Sequence, residues 1–223
     1  MFLPLALLTF MAASDNQLIP GDQTRSLEVD KRPRTYLVHI PLKHDPKKPT
    51  PVVLIFHGGG SNAEQMVRFC GLNETADKQG FIVVYPNGTG RLTNALTWND
   101  GNCCGSPCKT RSMTWPSGKG KKNLPSINFY SVEYSIRAWV KANGYKVEPA
   151  TVKLPDKAND GTTATIKTYG GGKDGAEVVL VVIEGGGHTW PGRQPLVRFL
   201  GKSTQNVSAN DLMWEFFEKH RMK

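Results

Sequence analysis

Two short aliphatic runs, Val52 to Phe56 and Phe81 to Pro86, are bounded by Pro and Gly and separated by a helix-length stretch. Between them, in Ala63 to Lys78, Met66, Phe69, Cys70, Leu72 and Ala76 recur at near-helical spacing. This strand, helix, strand order constrains the fold more than any other feature. A crossover of that length joins parallel strands, and its helix has to pack on a face of the sheet they share. Thr35 to Pro41 reads as another strand of the same half.

The C-terminal half carries its own elements. Ser131 to Asn143, with Val132, Ile136, Trp139 and Val140 on one face and Gly144 as the stop, predicts an amphipathic helix. Thr151 to Leu154 and Thr163 to Tyr169, joined across Asn159, Asp160 and Gly161, predict a hairpin. Glu177 to Ile183 is almost wholly aliphatic and is expected inside the sheet, parallel to the two N-terminal runs. Asn210 to His220, capped by Asn210 or by Ser208, is expected to bury Leu212, Met213, Phe216 and Phe217. Gly105 to Leu124 has no hydrophobic period of either kind, and a structureless loop of about twenty residues is foreign to a compact domain.

With 39% apolar and 21% charged residues, the chain has the composition of a globular protein and the length of one domain. Phe2 to Ala13 is an apolar run ending in Ala12, Ala13 and Ser14. It reads as a signal peptide over residues 1–14, leaving a single domain over 15–223 with an irregular junction at 105–126 and a secreted or periplasmic location. The run is too short to span a bilayer, and no stable membrane span is expected. It lacks a basic leading region, so an alternative start or a buried N-terminal strand is the other reading.

Cys70, Cys103, Cys104 and Cys108 fit an oxidising compartment, and four cysteines allow three connectivities. Nothing beside them supplies a second ligand cluster, so no metal is expected. The formal net charge is +9, yet its one dense cluster, Lys119, Lys121 and Lys122, sits among Gly and Ser without aromatics. That is the pattern of a solvated loop, and no nucleic-acid partner is expected. Gly170 to Gly175 satisfies G-x-G-x-x-G but precedes a strand-like run, and Leu200 to Ser203 resembles only the end of a P-loop.

The residues suited to chemistry follow the aliphatic runs. His57, Gly58, Gly59 and Gly60 come directly after Val52 to Phe56, where glycine lets main-chain N–H groups approach a developing oxyanion; the other reading is a glycine-rich turn. Gly185-Gly186-Gly187-His188-Thr189-Trp190-Pro191-Gly192 follows the aliphatic run Glu177 to Ile183. A histidine at a strand's C-terminal end, last in chain order, suits a general base. Trp98 and Trp190 either line an acyl pocket or close their loops as core aromatics.

The order of HGGG, Gly80 to Pro86, Trp98-Asn99-Asp100-Gly101 with Cys103 and Cys104, Gly187 to Gly192, and Trp214 to Phe217 resembles secreted polyhydroxybutyrate depolymerases and feruloyl esterases. The likeness covers about residues 30–104 and 127–223. It implies an α/β-hydrolase-like fold, a mostly parallel sheet flanked by helices. It also implies a carboxylic ester hydrolase with a Ser, Asp, His triad, no cofactor, and an ester, polyester or plant-polysaccharide substrate. In that pattern His188 matches the triad histidine, and His57 to Gly60 match the oxyanion loop.

The chain departs from the pattern at its centre. No serine has Gly at both minus two and plus two; Ser203 comes closest but follows His188, and Ser61 and Ser106 lack the strand-to-helix turn. The nucleophile-elbow units and the triad aspartate are missing around 105–126, as if by a deletion in the gene or the sequence record. The expectation is an impaired or inactive esterase, and the alternative is a non-catalytic remnant that binds a polymer or saccharide.

Overall fold

A computed structural model describes residues 18–90, 92–98, 131–144, 148–172 and 175–221. The expected signal peptide, the junction at 105–126, and Cys103, Cys104, Cys108 and Ser106 lie outside the described residues.

The N-terminal half is a four-stranded mixed sheet. Strands β1 (Gly21–Val29) and β2 (Arg32–Ile40) pair antiparallel from Gly21 opposite Ile40 to Val29 opposite Arg32. Asp30 and Lys31, at φ 50° and 59°, form the two-residue turn between them. Positive φ at both positions gives the turn a twist that matches the strands. Strands β3 (Val52–Leu54) and β4 (Ile82–Pro86) pair in parallel, with Val52 opposite Ile82, as the crossover reading expects. β4 also pairs antiparallel with β2, so the order is β1-β2-β4-β3.

The crossover is two helices rather than one. Helix α1 (Ala63–Cys70) starts at Asn62, whose side chain accepts from the Gln65 amide, and stops at Gly71. Gly71 sits at φ 57° and its N–H bonds Val67 O at 2.9 Å, after which α2 (Leu72–Gln79) restarts on a new axis. A left-handed residue ends a helix, which near-helical spacing of apolar residues does not reveal. Ile55, Met66, Cys70, Leu72, Phe81, Val83 and Tyr85 form the buried core between these helices and the sheet.

The expected α/β-hydrolase-like, mostly parallel sheet does not form. The aliphatic run placed in its middle is strand β7 (Val178–Glu184), and it lies in a second sheet. That sheet is antiparallel throughout, with order β5 (Ala150–Lys153), β6 (Thr163–Tyr169), β7. The β5–β6 hairpin is the one the sequence predicts. The connection from Tyr169 to Val178 is too short for a crossover, so β7 has to turn back along β6. Instead of being interior, β7 is an edge strand among the described residues, half-buried from Val178 to Ile183.

Helix α3 (Val132–Ala142) begins at Ser131, whose hydroxyl accepts from the Tyr134 amide, and packs against β7. Of the apolar face predicted for it, Val140 is buried whereas Trp139 is 63% exposed. Helix α4 (Ala209–Lys219) is capped by Ser208, not by Asn210. It joins the two halves: Trp214 stacks on Phe81 with centroids 4.5 Å apart, and the buried Asn210 donates to Cys70 O at 2.9 Å. Phe217, expected to be buried, is 42% exposed. Among the described residues no helix is long and apolar enough to cross a membrane.

Candidate functional site

His57 lies in the loop after β3 and is 3% exposed. Nδ1 is 2.7 Å from Gly58 O, and Nε2 accepts the Gly88 amide at 3.1 Å. A carbonyl on one side and an N–H on the other require the Nδ1–H tautomer, and both ring nitrogens are then used. The imidazole ties the glycine loop to the segment after β4. Of the loop amides, Gly60 N–H already bonds Leu96 O at 2.8 Å. Gly58 and Gly59 are exposed.

Trp98 completes this corner. Its indole N–H donates to His57 O at 2.8 Å, its ring lies 4.8 Å from the imidazole, and Phe56 meets it edge-on at 5.1 Å. The same indole lines an open groove of about 450 Å³ on the sheet face away from α1 and α2. Leu27, Tyr36, Leu54, Val84 and Pro86 supply its apolar wall and Thr35, Asn87, Thr89 and Thr97 a polar one, with Arg34 at one side. The strand registers explain the grouping, because Leu27 faces Arg34, Tyr36 faces Pro86 and Leu54 faces Val84. The groove is not legible in the sequence, because β1 does not read as a strand. Its alternation through Gln23, Arg25, Leu27 and Val29 is half polar, and its turn contains neither Gly nor Asn.

His188 is held elsewhere, in the loop after β7. Gly187 N–H bonds Lys202 O and His188 N–H bonds Leu200 O, each at 2.7 Å, so the loop runs beside residues 200–202 like a short ladder. A Cβ on Gly187 would collide with Leu200 O, which fixes glycine there. The His188 side chain is exposed, and its ring makes no hydrogen bond with a described residue. The two histidines follow strands of different sheets, so they do not share the sheet edge that a single parallel sheet would have given them.

Trp190 serves the core. Its N–H donates to Asn210 at 2.8 Å and its ring meets Phe69 at 5.8 Å, so it wedges between α1 and α4 rather than lining a pocket. The candidate nucleophiles are engaged as well. Ser203 is buried and donates to Trp190 O at 2.9 Å, and Ser61 donates to Gln65 at 2.8 Å. A hydroxyl that donates to a carbonyl has no base to take its proton.

Two carboxylates are perturbed, each by a structural role. Hydrogen bonds from Thr162 and the Gln205 amide hold Asp160 below the usual carboxylate range, and those from Lys219 and His220 do the same for Glu177. Burial pushes the Cys70 thiol up, and burial also raises the Tyr85 phenol, whose O–H donates to Asn73 at 2.6 Å. Among the described residues no group of three or more His, Cys, Asp or Glu side chains is placed to hold a metal ion. No protein-family model matches the chain, and no curated protein matches it.

Proposed function

We propose that the chain is a catalytically silent relative of the esterases it resembles, and that it binds an apolar polymer chain, of the aliphatic polyester kind, in the groove beside Trp98. The observation that carries this reading is the open, mostly apolar groove at the corner where the Trp98 indole caps the His57 loop. An imidazole bonded at both nitrogens has no lone pair or proton to offer a substrate. An exposed groove bearing an indole and a phenol offers broad apolar contact to an extended chain. Export, expected from the apolar N-terminal run, would bring the protein to insoluble polymers.

The test is retention on an insoluble aliphatic polyester film and on xylan, with Leu54→Glu and Trp98→Phe proteins alongside the unsubstituted chain. Leu54 is 55% exposed, so its substitution alters the groove without opening the core. Retention on the film that Leu54→Glu abolishes supports the reading. Retention that survives Leu54→Glu, or none at all, refutes it. An impaired esterase is the second reading, favoured by the exposed His188 ring on its fixed loop.

A further inference from the structure

The groove is not uniformly apolar. Arg34 is half-buried in its wall, and its guanidinium makes no ion pair or hydrogen bond with a described residue. It lines a second cavity too, of about 300 Å³, with Thr35, Asn87, Thr89 and Thr93. Arg34 therefore stands where an apolar trough meets a polar one.

The β1–β2 register sets the charge around it. Alternate residues share a face, so Arg25, Arg32 and Arg34 fall on the groove side of the hairpin. The acidic residues of these two strands, Asp22 and Glu28, fall in the other alternation, opposite His39 and Pro33. On β3 and β4 the groove side offers only Val52, Leu54, Ile82, Val84 and Pro86. A trough with an apolar floor and a guanidinium, that of Arg34, in its wall complements a molecule with an aliphatic body and an anionic end. A guanidinium takes a carboxylate through two parallel N–H bonds, which a neutral ester cannot return with equal strength.

We propose that this groove binds the free acid end of an aliphatic polyester chain, with the carboxylate on Arg34 and the chain along Leu27, Tyr36, Leu54 and Trp98. The proposal rests on the polymer-binding reading of the groove and adds to it a direction and an end preference.

The experiment is calorimetric titration of the full chain at pH 7 with a short hydroxyalkanoate oligomer bearing a free acid end and with its methyl ester. Arg34→Gln and Arg34→Lys are titrated beside it, and thermal melts establish that each is folded. The acid should bind more tightly than the ester. Arg34→Gln should weaken the acid by about tenfold and leave the ester unchanged, Arg34→Lys should recover part of the loss, and added salt should weaken the acid alone. Equal affinities for acid and ester, or an Arg34→Gln protein that binds the acid unchanged, overturn the proposal. If that happens while film retention still depends on Leu54, the polymer-binding reading stands without the end preference. Arg34-dependent binding of the acid without any film retention leaves the carboxylate site and removes the polymer.

Discussion

The His57 ring could act on a substrate only through a free nitrogen, and neither is free. Its work is to join the loop after β3 to Gly88. Replacing it with Ala would leave the Gly88 amide without its acceptor at a buried corner, and a loss of about 1–3 kcal/mol is expected in chemical denaturation. Wild-type stability in His57→Ala would show the bonds to be dispensable. The motif was legible in the sequence but its state was not, because the partner amide lies 31 positions away. The same holds for Asn73, Asn87 and Asn206, each of which begins an N-x-S/T triplet in the sequence. Asn73 accepts from Tyr85, Asn87 Oδ1 accepts the Ala63 amide at 2.8 Å, and Asn206 accepts the Lys157 and Ala158 amides.

At the scale of elements, the parallel pair β3 and β4 was legible because the helical stretch between two aliphatic runs leaves few other arrangements. The place of β7 was not. A continuous aliphatic run gives the same signal in the middle of a sheet and at an edge, and only the short connection from Tyr169 decides between them. Gly71 is a second case, where apolar spacing continued through a residue whose φ of 57° ends the helix. Gly71→Ala should cost about 1–2 kcal/mol, since a side chain there is strained and also meets Arg193, which pairs with Glu74 at 3.1 Å. A melt unchanged by this substitution would mean the helix break is not required. At the far end of the molecule Glu177 holds α4 to the start of β7 through Lys219 at 2.7 Å and His220 at 3.0 Å. Its carboxyl titrates lower in the folded protein than the ordinary value of 4.5. The stability it contributes is therefore complete above that value and is lost as the pH falls through the folded one. The stability gap between the unsubstituted protein and Glu177→Gln should be widest near neutrality and close in acid; a gap independent of pH would refute the assignment.

For the molecule as a whole, the N-terminal mixed sheet and the C-terminal antiparallel sheet are held together by α4 and the Trp190 loop. Trp214 on Phe81, Trp190 on Phe69, and Asn210 on Cys70 O are the contacts that make one body of them. Loss of the Trp214 ring should cost about 3 kcal/mol, measurable as a shift in denaturant midpoint. This packing uses Trp190 and Ser203 as structure and leaves His188 exposed in the loop after a strand of the other sheet from the one that leads to His57. The glycine–histidine segments follow one another in the sequence, but their order along the chain does not bring His57 and His188 to one sheet edge.

The decisive measurement is the rate of p-nitrophenyl ester hydrolysis by the unsubstituted chain and by His188→Ala, with a fluorophosphonate probe of serine reactivity on both. Removal of a catalytic serine from a working triad costs about a millionfold, so the presence of a triad is hard to mistake. Equal rates for the two proteins and no labelled serine are expected. A faster unsubstituted chain, with stoichiometric labelling of one serine that His188→Ala abolishes, would contradict it.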